Sequence, residues 1–320
     1  MTPLIVEAPK QPTHVARILS PKGIYPAESF CFSEGLYVAD EELCFSLVVY
    51  YEPYPEEELY SELQWLTVAE IRTYGALMLA VDRELGYSAF YPYPIRLSLE
   101  CEPSSDPIAW ATEFVKPLLI EKLREDGFHH PNFAVAAKNP YQYSSDIPLP
   151  PVAGGPTYDL RKQVVDYQLA EALFEAIDPE DVLAIRGVAT FIKAAMLHFH
   201  HQFFEEALNT LYISLEASFR MVLGALKEAG NPAPTAKDAA TYIRDALHDH
   251  RQIERYFEDD YERRIISFHP ESRLGNYPYP PMSAEDYYDL FEELQEVYQY
   301  LLTGHVQPWR LKRAGVLNES

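Results

Sequence analysis

Glycine is scarce in this chain of 320 residues, with 13 copies. No P-loop, Rossmann glycine fingerprint, GxSxG elbow or HExxH pair occurs, which excludes the usual sequence routes to nucleotide binding, serine hydrolysis and zinc proteolysis. No cofactor and no metal is expected. Cysteine is rarer still. Cys31, Cys44 and Cys101 are odd in number, widely spaced and form no CxxC, a pattern that suits reduced, buried thiols better than a disulfide frame or a zinc site. Positive charge is also short: 26 Lys+Arg stand against 49 Asp+Glu, for a net charge of −23. Both halves of the chain share the deficit, so no broad basic face exists to grip nucleic acid by phosphate neutralisation alone. Only a local cationic site fits. Apolar runs such as Ala76 to Val81 are far too short to span a bilayer. The opening Met1-Thr2-Pro3-Leu4-Ile5-Val6-Glu7 has no basic start and a brief apolar run, which predicts no secretory signal. A cytoplasmic protein without a membrane partner is expected.

What is present divides the chain. Between 139 and 157, Asn139-Pro140 opens and Pro148-Leu149-Pro150-Pro151-Val152-Ala153-Gly154-Gly155-Pro156 closes a stretch that can continue neither helix nor central strand. It predicts a linker over 141–156 between a mixed α+β domain (1–140) and an all-α helical bundle (157–306), with a C-terminal tail over 307–320. In the first part, runs rich in Val, Ile, Tyr and Phe at His14–Leu19, Cys44–Tyr51, Ile95–Cys101 and Asn132–Ala136 predict strands. Leu66–Leu85 and Ile108–Glu125 carry helical spacing. Glu56-Glu57-Glu58 reads as a solvated loop or first helical turn rather than an acidic metal site.

The second part reads as helical almost throughout. Leu160–Ile177 is followed by a helix with Asp178 at the N-cap, Pro179 at N1 and Asp181 at N3. Phe204, Leu208, Leu211, Leu215, Phe219, Val222 and Leu226 form one stripe of a helix from Gln202 to about Glu228, stopped by Gly230 and Pro232. Thr235 and Asp238 cap a short helix to Leu247, and another covers about Ile253–Phe268. The last starts at Ser283 with Asp286 in a capping box and buries Tyr287, Leu290, Phe291, Leu294, Val297 and Leu301 up to Gly304.

One segment carries chemistry. Arg263 and Arg264 precede His269 at a helix end, and Arg273, Asn276 and Tyr277 follow in a Pro/Tyr-rich connection. Phe257, Tyr261, Ile265 and Phe268 define the inward stripe of that helix, and at about 100° per residue Arg264 falls on its edge, one turn after Asp260, while Arg263 points away. An inward guanidinium needs a carboxylate or a function. Either Asp260–Arg264 anchors a seam of the bundle, or Asp260 holds Arg264 beside His269 for a phosphate. Pro270 biases His269 out of the α region, where the chain leaves the helix. An imidazole near its free pKa exchanges protons at neutral pH, and a guanidinium stabilises charge on a phosphoryl oxygen without a metal. The pair suits RNA, whose 2′-hydroxyl is a built-in nucleophile.

A helical bundle ending in Arg-x4–6-His resembles the HEPN superfamily, and the stretch from Ala207 to Ala229 looks like a HEPN core helix. The resemblance covers roughly 157–304. It implies a homodimer that pools Arg and His from two copies in a metal-independent endoribonuclease site, often in stress response or phage defence. Arg264 or Arg263 would stabilise the phosphate and His269 would orient or protonate it, with Arg273, Asn276 and Tyr277 as substrate contacts and Asp260 as the orienting group. Two departures bear on the activity: the residue after the arginine is Arg264 or Ile265 rather than a polar residue such as Asn, and a proline follows the histidine. A catalytically inactive HEPN-like dimerisation or binding module, whose N-terminal domain takes a ligand or protein partner, is the alternative. Of the other histidines, His198 and His201 could meet on one face without making a metal site, and His129-His130 reads as a loop. Glu216 and Arg220 read as a surface i,i+4 pair. Tyr277, Tyr279, Tyr287 and Tyr288 suit packing better than base stacking, because tyrosine is abundant everywhere, with 24 copies.

Overall fold

A computed structural model describes residues 14–23, 29–32, 35–38, 46–51, 66–80, 88–99, 103–125, 166–199, 203–248, 257 and 284–317. It is mostly helical, and among the described residues every regular element after residue 166 is a helix. The strands come first: β1 (His14–Gly23), β2 (Phe30–Phe32), β3 (Gly35–Val38), β4 (Ser46–Tyr51) and β5 (Ser88–Leu99) form an antiparallel sheet in the order β2-β3-β4-β1-β5. The expected strand over Asn132–Ala136 lies outside the described residues. β5 contains Pro92 and Pro94, which cannot donate to a ladder, and it occupies an edge. The β1–β5 register breaks between Arg17 and Leu19, opposite those prolines. Cys31, expected to be buried, is exposed because its short strand is the other edge of the sheet; Cys44 and Cys101 lie outside the described residues.

Between the strands, α1 (Val68–Leu79) starts at a capping box in which Thr67 accepts from the Glu70 N–H at 3.1 Å and Glu70 accepts from the Thr67 N–H at 2.9 Å. The reciprocal bonds let Glu70 sit fully buried. The helical stretch after β5 comprises α2 (Pro107–Trp110), a π-helical turn (Ala111–Val115) and α3 (Lys116–Glu125).

The C-terminal part holds α4 (Tyr167–Ala176), α5 (Val182–Phe199), α6 (Phe204–Glu228), α7 (Ala236–Ala246), α8 (Ala284–Thr303) and α9 (Pro308–Arg313). α4 starts at Asp166, whose carboxylate accepts from the Leu169 N–H. The start of α5 differs from the expectation at Asp178. The Asp181 N–H donates to the Asp178 carbonyl at 3.0 Å, so 178–181 is a turn with Pro179 at its second position, where a fixed φ is favoured. Asp181 is the residue that caps α5, accepting from Leu183 and Ala184. α6 ends in a Schellman pattern: Gly230, at φ 98°, donates to Lys227 O and Asn231 to Leu226 O. α7 carries the expected Thr235–Asp238 capping box. The residues expected as a C-terminal tail include a helix, α9, with Pro308 at its first turn, tied to α8 by a buried Arg310–Glu296 pair.

The stripes close into one hydrophobic core. It takes Tyr74 and Leu77 from α1, Leu173 and Phe174 from α4, Val188 and Ile192 from α5, Leu211 and Leu215 from α6, and Leu294 and Tyr298 from α8. α1 precedes the Pro/Gly-rich stretch and the other helices follow it, so the core spans the sequence boundary expected at 141–156, a stretch outside the described residues. α8 secures α1 from below: Gln295 donates to Met78 O at 2.7 Å, Gln299 donates to Leu79 O, and Gln307 donates to Gln299 Oε1 at 2.7 Å. These carbonyls belong to the last turn of α1, which has no intrahelical donors left for them.

The tightest crossing is at Gly187. A Cβ there would collide with the Tyr298 hydroxyl and lie 2.8 Å from its Cζ. Tyr298, fully buried, donates to Ser214 O at 2.7 Å, and Ser214 donates to Gly187 O at 2.8 Å. Gly187→Ala is expected to cost about 3 kcal/mol through overpacking. At Gly224 nothing lies within 4 Å of an added Cβ, so Gly224→Ala is expected to stabilise by about 0.5–1 kcal/mol through helix propensity. Urea unfolding of the two variants beside the parent checks both signs.

Candidate functional site: a cationic groove on α5 and α6

Asp260, Arg263, Arg264, His269, Arg273, Asn276 and Tyr277 all lie outside the described residues, as do His129, His130, His200, His201, Tyr279, Glu56, Glu57 and Glu58. One anchor of that segment is described. Phe257, six residues before Arg263, stacks on Phe219 of α6 with ring centroids 3.6 Å apart and planes at 6°. Its φ of 68° is left-handed, so Phe257 is a turn and not part of the helix expected over Ile253–Phe268; a bulky residue in that conformation costs of order 1–3 kcal/mol and persists only where the surroundings impose it. The stack supplies such a restraint.

His198, in the last turn of α5, is half-buried in an aromatic surround. Its Nε2 lies 3.0 Å from the Tyr288 hydroxyl, and its ring centroid is 4.2 Å from Tyr287 and 5.5 Å from Phe204. Tyr287 is buried and Tyr288 half-buried, so both tyrosines pack the α5–α8 contact. Among the described residues no group of three His, Cys, Asp or Glu side chains could hold a metal ion.

The groove was not anticipated from the sequence. It runs along the outer seam of α5 and α6, with a volume of about 480 Å³, and is lined by Leu183 and Arg186 from α5 and by Ile213, Glu216, Ala217, Arg220, Leu223, Gly224 and Lys227 from α6. The α6 residues fall at steps of three and one over two heptads, on a face turned from the core stripe of Leu208, Leu211, Leu215 and Val222. That spacing is the signal the sequence offered; the core stripe beside it is stronger and drew the helix assignment. A second hollow of about 410 Å³ continues past Arg220 and Gly224 to Tyr242, Tyr300 and Gly304.

Its electrostatics run against the rest of the chain. Three cations and one carboxylate line the groove, with Asp181 and Glu228 in the adjoining hollow, and Glu216 approaches the largely exposed Arg220 only to 4.0 Å, a geometry that contributes little. Among the described residues neither Arg186 nor Lys227 has an ion-pair partner. The Lys193 ammonium, on the next turns of α5, is held below the usual lysine range by burial and then by the Arg186 charge. A site of this kind attracts carboxylates or phosphates. No helix among the described residues is long and apolar enough to cross a membrane.

Two tyrosines, one lining the second hollow and one in the core, report on the packing of the bundle. Burial first, then hydrogen bonding to Tyr300 and its charge, push the Tyr242 hydroxyl up to about 12. Burial drives Tyr298 higher still, against the opposing effect of its hydrogen bonds. The unfolded chain releases these protons near the free value of about 10. The folded state is therefore favoured fully below that pH, and the advantage is lost as pH rises toward 12 and beyond. A near-ultraviolet tyrosinate titration is expected to show a late class of tyrosines that merges with the rest in denaturant, and Tyr242→Phe is expected to shrink that class.

Comparison with protein-family models, curated proteins and solved structures finds no match to this chain.

Proposed function

We propose that the chain is a metal-independent endoribonuclease of HEPN type that acts as a homodimer in the cytoplasm, in stress response or phage defence. The observation that carries this reading is the Arg263-Arg264-x4-His269 segment near the end of a helical bundle. Support comes from the helical C-terminal part, in which every described element is a helix. In the proposed reaction the 2′-hydroxyl gives up its proton to solvent and attacks the adjacent phosphorus, the P–O2′ bond forms as the P–O5′ bond breaks, and the leaving 5′-oxygen takes up a proton. Arg264, or Arg263, neutralises the phosphoryl oxygens as charge builds, and His269 orients the phosphate or delivers the proton. Arg273, Asn276 and Tyr277 hold the strand, and Asp260 orients the guanidinium.

A second reading is a catalytically inactive HEPN-like binding module whose N-terminal half takes a ligand or protein partner. A cationic groove on α5 and α6 favours a binding role, in the C-terminal helices rather than the N-terminal half, because binding there would need none of the Arg/His chemistry. Labelled RNA incubated with the purified chain in EDTA separates the two. The enzyme reading expects cleavage that falls at least about a hundredfold in His269→Ala and Arg264→Ala, in line with the loss of an acid–base or charge-stabilising group. No cleavage by the parent supports the module, and equal cleavage by parent and variants retires the Arg/His site.

A further inference from the structure

We infer that the α5–α6 groove is a docking site for an acidic amphipathic helix of a partner protein. The inference does not depend on the Arg264–His269 chemistry. Three observations carry it.

The first is shape. From Ile213 to Lys227 the lining residues of α6 span two heptads, about 21 Å of helix at 1.5 Å per residue. Residues at this spacing form a seam into which the side chains of a third helix interdigitate. The hollow is open along its length rather than closed around a small molecule.

The second is chemistry. Leu183, Ile213 and Leu223 provide an aliphatic lining, and Arg186, Arg220 and Lys227 provide charge beside it. Leu183 is 39% exposed and its neighbour Val182 is 76% exposed. An apolar stripe on the incoming helix would cover this floor, and carboxylates on its flanks would meet the three cations. RNA fits less well: single strands are held by stacking on aromatic rings, and the nearest ones, Tyr242 and Tyr300, line only the adjoining hollow and not this stretch.

The third is Gly224. In the interior of a 25-residue helix it costs stability relative to alanine, and no atom within 4 Å requires it. Its missing side chain lets a neighbouring helix approach closely.

The probe is a fluorescein-labelled, lactam-stapled peptide of about 18 residues, with leucines at i, i+3, i+4 and i+7 and glutamates on both flanks. Fluorescence anisotropy follows its binding to the full chain. The expected result is binding that weakens at high salt, weakens at least about tenfold in Arg186→Glu/Arg220→Glu, and is blocked by Gly224→Leu. Circular dichroism and the melting temperature establish that each variant is folded. The matched peptide with lysines for glutamates is expected not to bind. The inference is overturned if the acidic helix fails to bind the parent, or if the charge-reversed chain binds it equally well. It is also overturned if a uridine oligonucleotide binds instead and loses affinity through the same substitutions. Self-association of the parent that Gly224→Leu abolishes in ultracentrifugation would assign the groove to a second copy and overturn it as well.

Discussion

The arrangement of the bundle rests first on a close approach, the seating of the Tyr298 ring of α8 against the bare backbone of α5 at Gly187. The absent Cβ makes the space, and the hydroxyl inside it has nowhere to find water. Ser214 of α6 resolves that problem by offering its carbonyl to the Tyr298 hydroxyl and its own hydroxyl to Gly187 O. One notch thereby fixes the mutual placement of three helices. A buried polar group that is fully satisfied specifies a unique arrangement, whereas leucines alone would permit sliding. The stacked pair Phe191–Phe291, with centroids 4.3 Å apart, continues the α5–α8 contact. The orientation of the α5–α6 seam, and with it the outer groove, follows from this arrangement.

Much of the helical architecture was legible because amphipathic periodicity and end signals agree. Leu208, Leu211, Leu215 and Val222 are buried as their spacing requires, and Thr235 with Asp238 caps α7. The errors have local causes. Asp-Pro is compatible with both a helix start and a turn, and only the position of the Asp178 carbonyl relative to the Asp181 N–H decides between them. The strand expected at Ile95–Cys101 overlaps only the end of β5, which starts at Ser88 because an edge position accommodates Pro92 and Pro94. The short helix at Pro308 lacks the length for a periodic signal, and its stability comes from Glu296 and from Arg310 lying over the Trp309 ring, 4.6 Å from its centroid. The core shared by α1 and the later helices was invisible because a Pro/Gly-rich stretch reports on the backbone where it occurs, and says nothing about which side chains meet on either side of it.

The candidate site was legible only as residue types. Arg264 and His269 could be singled out by their chemistry, whereas the groove is made by two helices and by what they leave uncovered. Neither Arg186 nor Lys227 is notable in sequence. They become so when α5 and α6 lie side by side and Gly224 leaves a gap between them. The two proposed roles draw on the same scarce resource, positive charge in an acidic chain. An acidic surround keeps polyanions at a distance and gives a concentrated cationic patch more selectivity than it would have on a basic protein.

The glutamine contacts on α1 have a bearing on how the chain is made. Gln295 and Gln299 reach carbonyls more than 200 positions earlier, so the final turn of α1 must wait for α8 to emerge from the ribosome. Until then those oxygens must be served by water, and an early compact state cannot be dry at that point. Contacts of such separation in sequence slow folding because a very large loop must close before they form. The waiting helix is thus exposed to chaperones and to misassembly for most of synthesis, a burden set by chain order alone.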